Sequence, residues 1–391
     1  MWVAVGALSP RLTLSAWTGA SRFCLLRCGK TKRKDLPLRN CLGVSDFRQS
    51  LWSGVGFEDQ IGKNRFDPRR YITCPELAKN MARVIEKHIK PSPVVLECSP
   101  GPGILTQELV GLSSKVIALE SDNTFIPQLK SLQKKLDGQL QVVYCDFFKL
   151  DPASGGTVRP PIMYTDTLFE NLGIRPTSWT ADVPMKVIGL LPVKNEKKVL
   201  WKLLHDIYSC TSIFQYGRVE LNLFIGEQEY QILVANPKSP RMYQSSSVLW
   251  QIACDIKLLH TESCSSFDIS KPNGKLKKPK EPHQPLQRLC FVQLTPRKNL
   301  FTENLTPINY DIFFHMIKQC FVRRSDKLTD HLPSLSPVDV VDILKHIHTL
   351  NQSKITDIYP EEFKRLFEII DSSKEYTHRW LYDEYMEEVI L

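Results

Sequence analysis

Apolar positions along the first organised stretch recur at helical spacing: Leu77, Met81, Val84, Ile85 and Ile89. Ahead of them Thr73-Cys74-Pro75-Glu76 has the S/T-x-x-E form of a capping box, and Pro75 fits a first turn, where a missing N–H is tolerated. Pro91 and Pro93 end this predicted helix. The pattern then changes to short apolar blocks. Val94-Val95-Leu96-Glu97 predicts a buried strand that runs into the tight turn Cys98-Ser99-Pro100-Gly101-Pro102-Gly103. Ile104, Leu105, Leu109 and Leu112 predict a helix, and Val116-Ile117-Ala118-Leu119 a second strand ending at Glu120. A helix over about 123–135 leads to a third strand, Leu140 to Cys145, ending at Asp146. Strand–helix alternation of this kind predicts βαβ units and a parallel sheet.

Further on the signals are more mixed. Residues 151–182 are rich in Gly, Pro, Ser and Thr and read as a long loop or insertion. Met185 to Leu191 is a fourth strand, closed by Pro192. Lys194, Lys197, Lys198 and Lys202 follow on a helix, where a solvated face accounts for them. Val219 to Ile225, Ile252 to Leu259 and Leu289 to Leu294 read as further strands. Lys271 to Lys280 holds five lysines, two prolines and no acid, the composition of a solvated linker. From about residue 305 the pattern is helical to the C-terminus. These shifts divide the chain into an α/β domain over 63–300, with insertions at 151–182 and 270–286, and a helical domain over 301–391. The latter ends in an acidic tail with Asp383, Glu384, Glu387 and Glu388.

Composition narrows the class. Of 391 residues, 42% are hydrophobic and 24% charged, which excludes a collagen, a mucin-like stalk and a mostly disordered chain. No run of about 18 apolar residues occurs, so no transmembrane helix is expected. The net charge of +9 suggests a nucleic-acid binder until it is located. Residues 1–34 hold seven basic residues and no acid, which leaves +2 for the rest, so any such claim rests on local patches. Within 1–34, Leu12, Leu14 and Trp17 can form one face with Arg11 and Arg22 outside it, the signature of a mitochondrial transit peptide. Residues 35–62 read as an irregular lead-in. The eleven cysteines are scattered and none has zinc spacing, so reduced thiols and no metal site are expected.

The candidate chemistry lies at the ends of the first three strands. Glycines after a first strand let a ligand approach the backbone, and the next helix offers free N–H groups there. Glu120 follows Glu97 by 23 residues, near the roughly 20 at which an acid meets ribose hydroxyls in dinucleotide-type folds. Asp146, at the third strand end, can accept from an adenine amino group. The three together point to an adenosine-containing cofactor.

The stretch Leu96-Glu97-Cys98-Ser99-Pro100-Gly101-Pro102-Gly103-Ile104-Leu105-Thr106 closely resembles the E-x-G-P-G-x-G-x-L-T motif of the rRNA adenine dimethyltransferases, a family of S-adenosylmethionine (SAM) enzymes. Arg70-Tyr71-Ile72-Thr73 falls where that family has Q-N-F-L, with Arg70 in place of an amide. Ala118-Leu119-Glu120-Ser121-Asp122 and Cys145-Asp146 match its second and third acidic motifs. Ser246-Ser247-Val248, Leu294-Thr295-Pro296-Arg297 and Phe321-Val322-Arg323-Arg324 match later landmarks. The resemblance implies a Rossmann-like SAM-dependent methyltransferase fold with a small helical C-terminal domain. It implies SAM contacts from Ile72, Ser99, Gly101, Gly103, Glu120 and Asp146, and phosphate contacts from Arg323 and Arg324.

The departures are as informative. The family's catalytic strand ends in N-L-P-Y, whose Asn holds the target amino group and whose Tyr stacks the adenine. Here the strand ends in Leu190-Leu191-Pro192-Val193, so Leu190 and Val193 occupy those positions. Leucine offers no acceptor, and valine has no π face, where base–aromatic stacking contributes about 1–3 kcal/mol. Ser99 stands where the family has Gly. The resemblance is nearest to a mitochondrial branch of the family whose members act with mitochondrial RNA polymerase to open promoters. It implies promoter DNA, a mitochondrial high-mobility-group transcription factor and the nucleoid of the mitochondrial matrix as the setting. The alternative is active dimethylation of two adenosines in the small-subunit mitochondrial rRNA hairpin.

Overall fold

Alternating apolar blocks and amphipathic runs assemble around one twisted sheet. The computed structural model describes residues 67–89, 94–136, 138–152, 158–271, 275–278, 287–335, 343 and 353–372. The stretch over 1–34 expected to be a transit sequence, the lead-in over 35–62 and the acidic tail lie outside the described residues. So does much of the 270–286 insertion.

Seven strands form the main sheet: β2 (Val94–Cys98), β3 (Lys115–Glu120), β4 (Leu140–Tyr144), β5 (Lys186–Leu190), β6 (Glu220–Gly226), β7 (Cys254–Ser263) and β10 (Arg288–Pro296). Their order is β4-β3-β2-β5-β6-β10-β7. The first five run parallel, with Glu97 opposite Ala118, Leu119 opposite Val143, and Cys98 opposite Gly189. β10 is antiparallel to both β6 and β7, so the sheet is mixed rather than wholly parallel. Among the described residues of the link from β7 to β10 there is no α-helix of the kind a parallel crossover needs. Strands β1 (Arg70–Tyr71), β8 (Asp268–Ser270) and β9 (Leu276–Lys277) form a small separate antiparallel sheet.

The helices follow the predicted order. α1 (Pro75–His88), α2 (Ile104–Val110), α3 (Ile126–Lys135) and α5 (Glu196–Ser209) lie where helical spacing placed them. Three expectations need correction. Thr73 does not cap α1: its hydroxyl donates to Asp268 at 2.9 Å, and the N-cap residue is Cys74. The 151–182 stretch is not all loop, because α4 (Thr165–Asn171) forms within it, with Asp151 accepting from the Thr165 backbone N–H at 2.8 Å. Ile252 and Ala253 belong to α7 (Ser245–Ala253) and not to the strand, which begins at Cys254. A capping box between Gln244 and Ser247 starts that helix. Helix α6 (Glu227–Leu233) follows β6 directly, and α8 (Tyr310–Val322), α9 (Leu328–Leu335) and α10 (Pro360–Ser372) complete the described chain.

The central strands are buried on both faces, as parallel sheets under helices require, with Leu96, Val116, Ile117, Val187, Leu221 and Leu223 inaccessible. The C-terminal helices dock through aromatic rings. Tyr208 of α5 meets Phe314 of α8 edge-on at 4.8 Å, and the Tyr208 hydroxyl donates to the Leu249 carbonyl at 2.9 Å. Each described cysteine is a free thiol. Among the described residues no helix is long and apolar enough to cross a membrane.

Candidate cofactor site

The chain lays β2, β3 and β4 outward on one side, then crosses to β5 on the other side of β2. Ligands in such sheets bind beyond the carboxyl ends of the strands at this switch point. The turn after β2 occupies that position. Ser99, Gly101 and Gly103 all take positive φ, at 54°, 59° and 78°. The alternation curls the backbone tightly before α2, and glycine is the residue that adopts it freely. Ser99 adopts it with a side chain present, buried at 8% exposure, and its N–H donates to the Leu119 carbonyl at 2.9 Å.

The acid at the end of β3 is stitched to this turn. Glu120 accepts from the Gly101 N–H at 2.8 Å through one oxygen and from the Ser121 and Asp122 N–H groups through the other. Burial raises its carboxyl to about 7, against the pull of those three backbone donors. Tyr71 roofs the turn. A side chain on Gly101 would meet its ring at 2.4 Å, and the ring packs on Phe125 at 5.0 Å. The Tyr71 hydroxyl is buried with no hydrogen-bond partner. Ile72, next to it, is buried in the hydrophobic core under α1. Glu97 lies within the strand, and burial pushes its carboxyl to about 8. One of its oxygens has no hydrogen-bond partner.

Asp146 caps the short 3-10 turn Phe147–Lys149 after β4, accepting from the Phe148 N–H at 3.2 Å. Its other oxygen accepts from the Arg69 guanidinium at 2.7 Å. Arg69 lies just outside the Arg70-Tyr71-Ile72-Thr73 match. The only signal for Arg69 is a second arginine beside Arg70 in Asp67-Pro68-Arg69-Arg70.

At the end of β5 the structure places Leu190 in the core at 6% exposure, and the Leu191 N–H is bonded to the Phe224 carbonyl. Val193 is half-buried just beyond. Neither position presents a polar or aromatic group. Gly189 is needed there, because a Cβ would meet that of Cys98 at 2.7 Å.

The predicted phosphate-contacting pair lies elsewhere, at the C-terminal end of α8. Arg323 pairs with Asp326 at 3.5 Å, and the Arg324 guanidinium donates to the Pro240 carbonyl. Among the predicted lysines, Lys202 pairs with Asp206 at 2.7 Å.

A seven-stranded sheet with one reversed strand, a glycine turn after β2 and acids closing β3 and β4 define a Rossmann-like methyltransferase scaffold. The chain belongs to the ribosomal RNA adenine dimethylase family, whose model matches residues 63–372. It is 51% identical over 393 residues to the cattle (Bos taurus) protein named mitochondrial dimethyladenosine transferase 2, with all of both chains covered. It is 50% identical over 395 residues to the human (Homo sapiens) protein of the same name, covering 99% of this chain and 100% of that one. A solved dimethyladenosine transferase from Plasmodium falciparum shares the fold, with a TM-score of 0.51 at 18% identity over 76% of this chain and 95% of that one.

The cofactor of this family is SAM, and the residues present fit it. The glycine turn adds no side chains of its own between Tyr71 and the strand ends, and Glu120 sits buried against it. Asp146 closes β4 at the same carboxyl end of the sheet, a carboxylate that can accept from an amino group. When bound, SAM supplies an already activated methyl group, so the protein's part is positioning.

Proposed function

We propose that this protein is a mitochondrial transcription initiation factor built on the dimethyltransferase scaffold, with weak or residual rRNA methylation. It binds mitochondrial RNA polymerase and stabilises melted promoter DNA in the groove where its enzymatic relatives hold an rRNA hairpin. The observation that carries this reading is the end of β5. With Leu190 and Val193 at the target-base positions, the protein has neither the acceptor that fixes an adenine amino group nor the ring that stacks the base. A methyltransferase that cannot orient its target loses most of the advantage it can offer, since orientation accounts for much of the barrier lowering in such reactions. A site for SAM at Ile72, Ser99, Gly101, Gly103, Glu120 and Asp146 alongside a dismantled base pocket suits a fold reused for holding nucleic acid.

The names of the relatives support a mitochondrial setting; the matrix nucleoid follows from the promoter role. Arg323 and Arg324 supply phosphate contacts, and a mitochondrial high-mobility-group factor shares the promoter. The second reading, active dimethylation of the small-subunit rRNA hairpin, is favoured by the retained Gly101, Gly103, Glu120 and Asp146.

The test is run-off transcription with the cognate mitochondrial RNA polymerase on duplex and pre-melted promoter templates. The protein is expected to stimulate strongly on the duplex and little on the pre-melted template. No stimulation on the duplex, together with robust methylation of the rRNA hairpin, would replace the first reading with the second.

A further inference from the structure

The carboxylate that closes β4 already has a close charged partner in Arg69, with the half-exposed Lys149 Nζ further off at 3.8 Å. Arg69 is 7% exposed, and its Nη2 lies 2.7 Å from Asp146 Oδ2. The guanidinium stacks over the Phe148 ring at 5.7 Å. Its backbone is fixed as well. The Arg69 N–H donates to the Ser270 hydroxyl at 2.9 Å, and the Ser270 N–H donates to the Arg69 carbonyl at 2.9 Å. The next residue, Arg70, pairs with Ile269 in the small sheet. The other guanidinium terminus, Nη1, is buried with no hydrogen-bond partner. The guanidinium is therefore held against Asp146 from the side of the small sheet, in an arrangement that leaves one of its own donors unsatisfied.

We propose that Arg69 is a built-in rival of the cofactor's adenine amino group for Asp146 and so sets the affinity of the pocket for SAM. A charge-assisted hydrogen bond between guanidinium and carboxylate is roughly twice as strong as one from a neutral donor. A neutral amino group arriving at Asp146 competes with a cation that is already in place and loses no translational freedom by staying. The guanidinium also draws acceptor strength away from the oxygen it occupies. The pocket keeps its shape but binds its ligand weakly. The inference rests on the assignment of this pocket to SAM and not on the polymerase role.

The measurement is calorimetric titration of S-adenosylhomocysteine into the full chain, with melting curves on each variant. Arg69→Gln keeps a neutral side chain of similar reach and removes the charge. It is expected to bind S-adenosylhomocysteine about tenfold more tightly than wild type. Asp146→Asn is expected to change binding less than about threefold in the wild-type background and to abolish the gain in the Arg69→Gln background, as coupled neighbours do. Should Arg69→Gln melt too low to titrate, Arg69→Lys keeps a cation beside Asp146 and is expected to tighten binding by a smaller factor. Binding of a folded Arg69→Gln or Arg69→Lys protein no tighter than wild type would overturn the proposal. So would an Asp146→Asn effect of equal size in both backgrounds, or no binding by any variant. A failure here leaves the transcription assay unaffected, since that assay does not depend on the ligand.

Discussion

At the scale of single residues, the turn after β2 carries a conformation that its sequence only partly suits. Ser99 holds φ at 54°, in the left-handed region. A non-glycine residue there costs roughly 1–2 kcal/mol, partly offset by the roughly 0.5–1 kcal/mol of extra chain entropy that glycine loses on folding. Ser99→Gly is therefore expected to hold or raise stability by about 0.5 kcal/mol, read from the denaturant midpoint, whereas most loop-to-glycine changes lower it. A loss of a full kcal/mol would show that the Ser99 side chain itself is stabilising. Glu97 makes the opposite kind of demand. Its carboxyl is held protonated to about pH 8 by burial, while in the unfolded chain it ionises at the usual value near 4.5. Stability from this group is present below about 4.5 and is lost as pH rises through 8. Glu97→Gln is expected to melt higher than wild type at pH 8.5 and about equally at pH 5, by differential scanning fluorimetry. Equal melting at both values would mean that the carboxyl is ionised in the fold.

At the scale of elements, periodicity and turn chemistry made most of the sheet legible. Val94 to Glu97, Val116 to Leu119 and Leu140 to Cys145 are mostly apolar runs ending at a turn or an acid, and each is a strand within a residue or so. What failed has physical causes. Ile252-Ala253-Cys254 carries apolar character straight across a helix-to-strand junction, so no polar break marks where α7 ends. Thr73 has a capping residue's chemistry, but Asp268, distant in sequence, competes for its hydroxyl. The reversed direction of β10 leaves no mark on the strand itself. Local motifs mark Gly101, Gly103, Glu120 and Asp146, which the fold brings together at the carboxyl ends of β2 to β4. Nothing local marks Arg69, which a contact distant in sequence brings there. The junction of α5 and α8 bears its own prediction. His205 sits among Trp201, Tyr310 and Phe314 at 5.9, 5.9 and 4.7 Å. Burial, with Lys318 adding to it, lowers its pKa to about 3. The fold therefore holds it neutral, whereas the unfolded chain takes up a proton below about 6.5, so stability falls as pH drops from 6.5 toward 3. His205→Phe is expected to lose less melting temperature than wild type between pH 7 and pH 5. An identical loss would clear His205 of a role in the acid limb.

At the scale of the whole molecule, net charge is a poor guide to the nucleic-acid surface. Seven of the nine excess positive charges lie in residues 1–34. The candidate contacts are local, and Arg323 and Arg324 at the end of α8 are the pair singled out by family position. If they meet phosphates, Arg323→Ala with Arg324→Ala is expected to flatten the dependence of single-stranded DNA affinity on salt. The slope of log K against log salt should fall by about one for each contact removed, uniformly across sequences. An unchanged slope would assign the pair to packing, through Asp326 and the Pro240 carbonyl. One feature of the sheet also bears on how the molecule behaves in a crowded compartment. β7 is the last strand in the order, ten residues long, with Leu258 45% exposed. Such a border is a template on which a second chain can crystallise strand by strand. Asp255 and Lys257 stand exposed along it, and any incoming strand has to strip water from both charges before the backbones can meet. Those two residues are therefore the chain's guard against clumping with its own kind. Replacing both with valine is expected to turn a clear concentrated solution into one that scatters light.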